Sequence, residues 1–449
     1  MTRRFMLLAG VAGLLASCGS SQDIPPDSQF GATPQLPDPS TPLITQTHIP
    51  EVVGWKDGEH PLVPRGFAIT RVAEGLSSPR NILPLANGDV LVVTAKKTAS
   101  EPLERPKDLA MRLLFAKAHG GKEQPSNQLI LLRDSDGDGR AEQRMILLDK
   151  LNAPHGIDVR DGQLYIGATD EVLAFPFAPG ATRLGRPRRI IALPEGPFNH
   201  HWTKDLVVSP DGTKLYVGIG SNSNIMERGP EAEANRAAIW EVDIKTGAWR
   251  IFASGLRNPN GLNFYPGSNN LWTVVNERDE LGPNLVPDYL TSVKDGGFYG
   301  WPYSYYGRTV DVRAKPARPD LVASAIAPDY ALSSHVAPLG LAFAAGTSFP
   351  AALRGGAFVG EHGSWNSGVL HGYRVVFIAF SGGKPVGNPR TFAAGFIGKD
   401  GKARGRPVAV RVDRDGALLI ADDAGSSVWR VSYSASSVPS GAAVGPGIR

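Results

Sequence analysis

Gly255-Leu-Arg-Asn-Pro-Asn-Gly-Leu-Asn-Phe264, a turn at Pro266-Gly267 and Leu271-Trp-Thr-Val-Val275 form one unit: a Pro/Asn corner, an apolar strand, a glycine turn and a second apolar strand. Short apolar runs bounded by Gly, Pro and Asn read as the two arms of a hairpin. Upstream the unit recurs as Ser78-Pro-Arg-Asn-Ile-Leu83 with Asn87-Gly88 and Val90-Leu-Val-Val-Thr94, and as Ala153-Pro-His-Gly-Ile157 with Asp161-Gly162 and Leu164-Tyr-Ile-Gly167. It recurs again as His201-Trp-Thr-Lys-Asp-Leu206 with Asp211-Gly212 and Leu215-Tyr-Val-Gly218. Downstream stand Val336-Ala-Pro-Leu-Gly-Leu341 with Arg354-Gly355-Gly356 and Ala357-Phe-Val-Gly360, then Arg406-Pro-Val-Ala-Val410 with Asp415-Gly416 and Ala417-Leu-Leu-Ile-Ala421. One hairpin cannot bury both of its faces, but six packed radially can. The expectation is an all-β, six-bladed β-propeller.

Two long insertions break the pattern, residues 98–127 and 303–333. The first contains Lys107-Asp-Leu-Ala-Met-Arg-Leu-Leu-Phe-Ala-Lys117, which reads as an amphipathic helix ended near Gly120-Gly121. Excursions of this kind usually cover a face; the expectation is a solvent-exposed loop with one packed helix, with a lid or an electron-acceptor dock as the alternative. Composition agrees with a turn-rich β protein: 52 Gly and 37 Pro stand beside only 20% charged and 42% apolar residues, without the charge excess of a disordered chain.

The chain opens on Met1-Thr-Arg-Arg-Phe-Met-Leu-Leu-Ala, a basic start followed by a short apolar run, which is the pattern of an export signal and too short to span a membrane. Leu15-Ala16-Ser17-Cys18 resembles a bacterial lipoprotein box, and Cys18 is the single cysteine of the sequence, so the expectation is a lipidated residue 18, an exported protein on the periplasmic face of a membrane, and no internal disulfide. Loss of residues 1–17 removes Arg3 and Arg4 and lowers the formal charge from +4 to +2, which leaves no nucleic-acid footprint. The expected organisation is a signal peptide at 1–17, a Pro/Ser-rich tether at 18–58, the propeller at 59–434 and a tail at 435–449.

Propellers host many chemistries, so function has to come from side chains. The repeated corners place His155, His201, Arg257, Asn258, His335, Arg404 and Arg406 at matching points of five units, where they would ring one mouth of the channel with positive charge suited to a polyanion. Asp134-Ser-Asp-Gly-Asp-Gly-Arg-Ala-Glu142 has the alternating carboxylates of a calcium loop, but Met145 stands where that loop needs a glutamate; a plain glycine-rich turn fits equally. The sequence lacks Cys-x-x-Cys-His, which excludes covalent haem and calls for a separate electron acceptor if the protein is a redox enzyme.

Gly255-Leu-Arg-Asn-Pro-Asn-Gly-Leu-Asn-Phe264, Asn276-Glu-Arg-Asp-Glu280 and Gly296-Gly-Phe-Tyr-Gly-Trp-Pro302 resemble the soluble quinoprotein glucose dehydrogenases. Val336-Ala-Pro-Leu-Gly-Leu341, Glu361-His-Gly-Ser-Trp-Asn366, Gly405-Arg-Pro-Val-Ala-Val410 and Ala421-Asp-Asp-Ala-Gly425 are similar to the sorbosone dehydrogenase branch, and the resemblance spans about 66–433. It implies oxidation of a sugar hydroxyl or hydrated aldehyde with pyrroloquinoline quinone and Ca2+ as cofactors, His201 as general base and His200 facing elsewhere. Arg257 and Asn258 would contact the quinone oxygens, with Arg257 steadying negative charge as hydride arrives. Arg404 and Arg406, on one side of an extended strand, would pair with the cofactor carboxylates, with His335, His155 and Asn222 as further contacts. Backbone oxygens near Asp279 and Glu280 would bind the calcium, where the glucose dehydrogenases carry Gly-Pro and this chain does not. Ser221-Asn222-Ser223-Asn224 replaces an acidic polar turn, so glucose is not implied as substrate. Two other functions stay open: a calcium-dependent lactone hydrolase, which needs carboxylates and Asn around a central metal, and a non-catalytic binding propeller.

Overall fold

A computed structural model describes residues 26–41, 47–97, 102, 126–196 and 198–434. Cys18, the tail and the expected helix at 107–117 lie outside the described residues. The six sequence units become the two innermost strands of six antiparallel sheets. Blade 1 comprises Pro79–Pro84, Val90–Thr94, Gln128–Arg133 and Gln143–Leu148; blade 2 comprises Gly156–Arg160, Gln163–Gly167, Glu171–Pro176 and Arg188–Ala192. Blade 3 runs Leu206–Val208, Lys214–Ile219, Ala238–Asp243 and Trp249–Ser254, and blade 4 runs Pro259–Phe264, Leu271–Val275, Pro287–Ser292 and Tyr330–Ser334. Blade 5 holds Pro338–Phe343, Gly356–Glu361, Arg374–Ser381 and Lys384–Ala393. Blade 6 is Pro407–Val412, Leu418–Asp422 and Ser427–Tyr433, completed on its outer edge by Phe67–Ala73 from the other end of the chain. That pairing closes the ring with backbone hydrogen bonds.

Each second strand of the repeat is buried on both faces, as in Val90–Thr94, Leu271–Val275 and Leu418–Asp422. Their side chains fill apolar layers between successive blades. Phe358 and Phe377 of blade 5 meet Val410, Leu418 and Trp429 of blade 6, while Ile82 and Val92 of blade 1 meet Ala421 and Val428 of blade 6. Each fully buried Val or Leu removes enough apolar surface to contribute about 1.5–3 kcal/mol. The glycine that ends Leu-Tyr-Ile-Gly167 and Leu-Tyr-Val-Gly218 has a steric cause: a β-carbon there would lie 2.5 Å from the Lys204 carbonyl oxygen and 2.7 Å from that of Pro259, the backbone of the next blade.

The second insertion is only partly an insertion. Tyr330–Ser334 is the fourth strand of blade 4. Before it, Gly297–Phe298 adds a parallel strand to blade 3, Ser304–Tyr305 pairs with Thr309–Val310, and a short helix spans Pro319–Ser324. This excursion packs over the end of the propeller where the corners lie, bringing Trp301, Asp311 and Arg313 there.

The tether expected at 18–58 is corrected over its described part. Phe30–Gly31 pairs with Leu332 and Ala331 on the edge of blade 4, the Ser40 amide donates to Leu281, the His48 amide to Trp365, and Val53 and Glu51 exchange backbone bonds with Ala403. Trp55 packs on Phe396 and Trp429 and donates to Asp422. Pro- and Ser-rich composition reads as linker because its apolar anchors, Phe30 and Trp55, are too sparse to show a period, yet each finds a partner on the rim.

Candidate active site at the blade corners

The starts of the innermost strands and the loops after the second strands share one end of the propeller. His201 precedes blade 3 there. Its Nδ1 lies 2.9 Å from the Ser221 carbonyl oxygen and 3.0 Å from Ser221 Oγ. Because Ser221 Oγ donates to the Ser223 carbonyl, His201 carries its proton on Nδ1 and donates to the Ser221 carbonyl. Nε2 keeps its lone pair. Burial, reinforced by Arg257 and His200, holds the imidazole well below the usual histidine range, so the ring is neutral near pH 7.

The loop carrying Ser221 is locked to blade 4 by the Ser221 amide, which donates to the Arg257 carbonyl at 2.7 Å. Gly220 lets the parts meet: a β-carbon there would lie 2.6 Å from Asn258 Oδ1 and closer still to the His201 Cβ. Asn258 Oδ1 is buried and accepts no hydrogen bond among the described residues. An uncompensated acceptor of this kind is costly unless a ligand donor reaches it.

The Arg257 guanidinium is almost fully buried and donates to the carbonyls of Asn224, Asn276 and Glu277, to Asn224 Oδ1 and to Asp279 Oδ2 at 3.2 Å. Asp279 Oδ1 faces His335 Nδ1 at 3.3 Å, and His335 Nε2 lies 3.1 Å from the Gly282 carbonyl oxygen. Both ring nitrogens of His335 therefore donate. Burial opposes its charge, but the Asp279 carboxylate and the Gly282 carbonyl offset that and raise its basicity. Asp279, although buried, is held below the usual carboxylate range by His335 and Arg257.

On the opposite side of the mouth Arg406 donates to the carbonyls of His362 and Gly363, both at 2.9 Å, and has no carboxylate partner among the described residues. Asp423 bridges His362 Nε2 at 3.0 Å and Arg80 at 2.5 Å, and Arg80 lies over the Trp202 ring. Burial and the Arg406 charge push His362 down to about 4 despite Asp423. Arg80 Nε is buried without an acceptor.

Several expected positions move. Arg404 does not join Arg406: it turns to Asp400, four residues upstream, at 3.0 Å and to Glu59 at 3.4 Å, with its Nη1 buried and unpaired among the described residues. Asn222 Nδ2 donates to the Ala232 carbonyl and its backbone amide to the Glu233 carboxylate, with Oδ1 buried and unpaired among the described residues, and Asn224 is the residue that meets Arg257 and Asp279. His155 lies beside Trp202, with neither ring nitrogen hydrogen-bonded and Asp205 3.9 Å away; burial, then Arg80, keeps it well below the usual histidine range.

The calcium expectation at Asp279 and Glu280 meets a different arrangement. The Asp279 carbonyl oxygen accepts from Arg278 at 2.9 and 3.1 Å and from Asn224 Nδ2 at 3.1 Å, and the Glu280 carbonyl accepts from Arg313 Nη1 at 3.1 Å. Arg278 is buried in an ion pair with Asp311. The two oxygens that would face a metal are satisfied by guanidinium groups, so these residues do not fit calcium.

Sequence reading missed Gly220, Ser221, Asn224, Arg278, His362, Asp423 and Arg80. Arg80, Ser221, Asn224, Arg278, His362 and Asp423 stand in the repeat corners and family motifs without a role of their own there, and for His362 and Asp423 the repeat position after a second strand was the signal that could have found them. The carboxylates of Asp134 to Glu142 lie at the other end of the propeller, where Asp134 accepts from the Gly137 and Gly139 amides and Asp138 from the Arg140 amide, in the manner of a hairpin turn.

A propeller with basic groups and a neutral histidine converging on one mouth defines a class with many members, and comparison narrows it. The glucose/sorbosone dehydrogenase family model matches residues 180–430, and the chain belongs to that family. An uncharacterized protein of Borreliella burgdorferi is 31% identical over 294 residues, 63% of this chain and 76% of that protein. A pyrroloquinoline quinone-dependent pyranose dehydrogenase of Coprinopsis cinerea is 24% identical over 360 residues, 70% of this chain but only 44% of that protein, so the chain spans less than half of it. Among solved structures, the quinone domain of that enzyme in its holo form superposes with a TM-score of 0.65 at 19% identity, covering 83% of this chain and 97% of the domain. The quinone-bound aldose sugar dehydrogenase of Streptomyces coelicolor gives 0.54 at 16% identity, covering 83% and 100%. These likenesses show the same fold.

Proposed function

We propose that the protein is a pyrroloquinoline quinone-dependent dehydrogenase that oxidises a sugar hydroxyl or hydrated aldehyde, of aldose or sorbosone type, and hands its electrons to a separate acceptor. One observation carries this reading: His201 is neutral, donates through Nδ1 to the Ser221 carbonyl, and keeps Nε2 as a base beside Arg257 and Asn258. The bound quinone would supply a two-electron, hydride-accepting centre. His201 Nε2 would take the hydroxyl proton of the sugar, which a base of depressed pKa does without first losing a proton of its own. Arg257, fixed by its contacts with Asn224, Glu277 and Asp279, would hold positive charge where negative charge develops. Asn258 Oδ1 is an orphaned buried acceptor that suits a ligand donor, Arg80 Nε is an orphaned buried donor that suits an anionic ligand, and the Arg406 side chain has no carboxylate partner among the described residues.

Adding the quinone to purified apoprotein and following dye reduction over a panel of aldoses and sorbosone tests the assignment. Turnover of at least one sugar is the expected result. Quinone binding without dye reduction by any sugar would favour the binding propeller, and sugar-lactone hydrolysis without quinone the hydrolase. The hydrolase reading has little support, since the one cluster of metal-ligating side chains among the described residues, Asp134 to Glu142, lies away from the mouth.

Export and lipid anchoring at Cys18 complete the proposal, with the oxidation taking place on the periplasmic face of a membrane. Among the described residues no helix is long and apolar enough to cross a membrane. Cys18→Ser should release the protein from the membrane fraction; unchanged retention with an unshifted mass would refute the anchor.

A further inference from the structure

The arginines on the Asp279 and Glu280 carbonyls point to a consequence for how the cofactor is held. We infer that this chain binds its quinone without calcium, because Arg278 and Arg313 occupy the backbone oxygens at the expected metal position and the Arg257 guanidinium stands against the Asp279 carboxylate. The inference rests on the quinone reading above.

Three independent features support it. The first is the backbone. Glu280 has φ +71°, in the left-handed region, whereas a proline ring locks φ near −65°. A proline could not stand at position 280, this chain's own Gly-Pro lies further on at Gly282-Pro283, and the turn at Glu280 directs the Asp279 and Glu280 carbonyls. They aim at arginines: Arg278 reaches the Asp279 oxygen through two nitrogens, and Arg313 reaches the Glu280 oxygen.

The second is how firmly Arg278 is held. Arg278 and Asp311 have side chains only 2% exposed, so the guanidinium cannot swing away to make room for an ion without leaving a buried carboxylate unpaired. The Asp279 carbonyl also accepts from Asn224 Nδ2, which accounts for its lone pairs and more. Asp311 and Arg313 both come from the excursion between the third and fourth strands of blade 4, so the substitution at Asp279-Glu280 and the inserted segment act together.

The third is charge. Two carboxylates remain at the position, and both already face protein groups: Asp279 faces Arg257 at 3.2 Å and the His335 imidazole at 3.3 Å, and Glu280 faces Arg313 at 3.8 Å. A dication placed there would meet these groups at close range. The buried Arg257 guanidinium is the fixed positive charge beside this position, and it can serve an anionic ligand where a divalent ion otherwise would.

The test uses the full-length apoprotein after exhaustive treatment with EGTA. Pyrroloquinoline quinone is titrated calorimetrically in EGTA and again in excess CaCl2, and the quinone-loaded protein is passed over chelating resin and analysed for calcium by mass spectrometry. The expected result is a Kd that agrees in the two buffers within about twofold, with calcium well below one ion per bound quinone. A Kd at least about tenfold tighter with calcium, or calcium retained in step with quinone, would overturn the inference and leave the quinone assignment standing. Absence of quinone binding in both buffers would overturn the assignment and the inference together.

Discussion

Alanine at Gly220 tests the placement of the site more sharply than removal of any charged group. Gly220 has a backbone conformation open to any residue, so the substitution adds no backbone strain; its effect comes only from the new methyl group. That carbon would stand 2.6 Å from Asn258 Oδ1, and nearer to the His201 Cβ, where carbon needs about 3.5 Å, so the side chains have to part by about 1 Å. The Gly220 carbonyl accepts from Arg236 and the Ser221 amide is tied to Arg257, so the loop cannot yield freely and the displacement falls on His201 and Asn258. Overpacking of this kind costs about 1–3 kcal/mol of stability. Misplacing a base by about 1 Å costs about a hundredfold in rate, or about 2.7 kcal/mol of barrier. The variant should melt as one cooperative unit at a lower temperature, bind quinone, and reduce it with sugar about a hundredfold more slowly in rapid-mixing spectra. Quinone reduction within a fewfold of wild type, with the drop in melting temperature present, would show that the contact exists but that His201 and Asn258 are not the reacting pair.

His201→Ala should retain cofactor and lose about a hundred- to ten-thousandfold in quinone reduction, with His200→Ala much milder; a dead His200 variant would reverse the assignment. Arg406→Ala should weaken quinone binding about ten- to a hundredfold, while Arg404→Ala should change it little, since Arg404 is engaged by Asp400 and Glu59; calorimetry showing the opposite order would refute the placement. Glu277 is pushed up to about 7, chiefly by burial, so the folded state holds its proton more tightly than the unfolded one. Its contribution is therefore fully present below the ordinary glutamate pKa and is lost as pH rises toward about 7. Glu277→Gln should accordingly gain about 1–3 kcal/mol over wild type in urea unfolding at pH 7.5 and little at pH 4.5, and parallel pH curves would refute this.

Much of the architecture was legible before any coordinates. Six corner-strand-turn-strand units from Ser78 to Ala421 specify six sheets because each hairpin is apolar on both faces, a local property that needs no partner to be read. The six innermost pairs form where the repeat places them, and the corners of His201, Arg257 and Arg406 do converge. Phe67–Ala73 was not legible as the outer strand of blade 6, since nothing in seven residues announces pairing with Ser427–Tyr433 at the far end of the chain. Phe30 and Trp55 were not legible as anchors for the same reason.

The sequence by itself determined which residue types stand at the mouth: a histidine, an Arg-Asn pair and further arginines at equivalent points of a repeat. Tertiary structure alone decided what each can do. Arg404 and Arg406 are two residues apart, yet Arg404 is engaged by Asp400 and by Glu59 from the N-terminal segment, whereas the Arg406 side chain meets only carbonyls among the described residues. Asn222 and Asn224 are the same residue type two positions apart, yet only Asn224 reaches Arg257. The oxygens of Asp279 and Glu280 look like ligands in one dimension and are taken by Arg278 and Arg313 in three. The reason is physical: repeat and composition fix backbone paths through local burial, whereas charge, protonation and free lone pairs depend on which distant groups arrive within about 3 Å, and the chain records no signal for that distance.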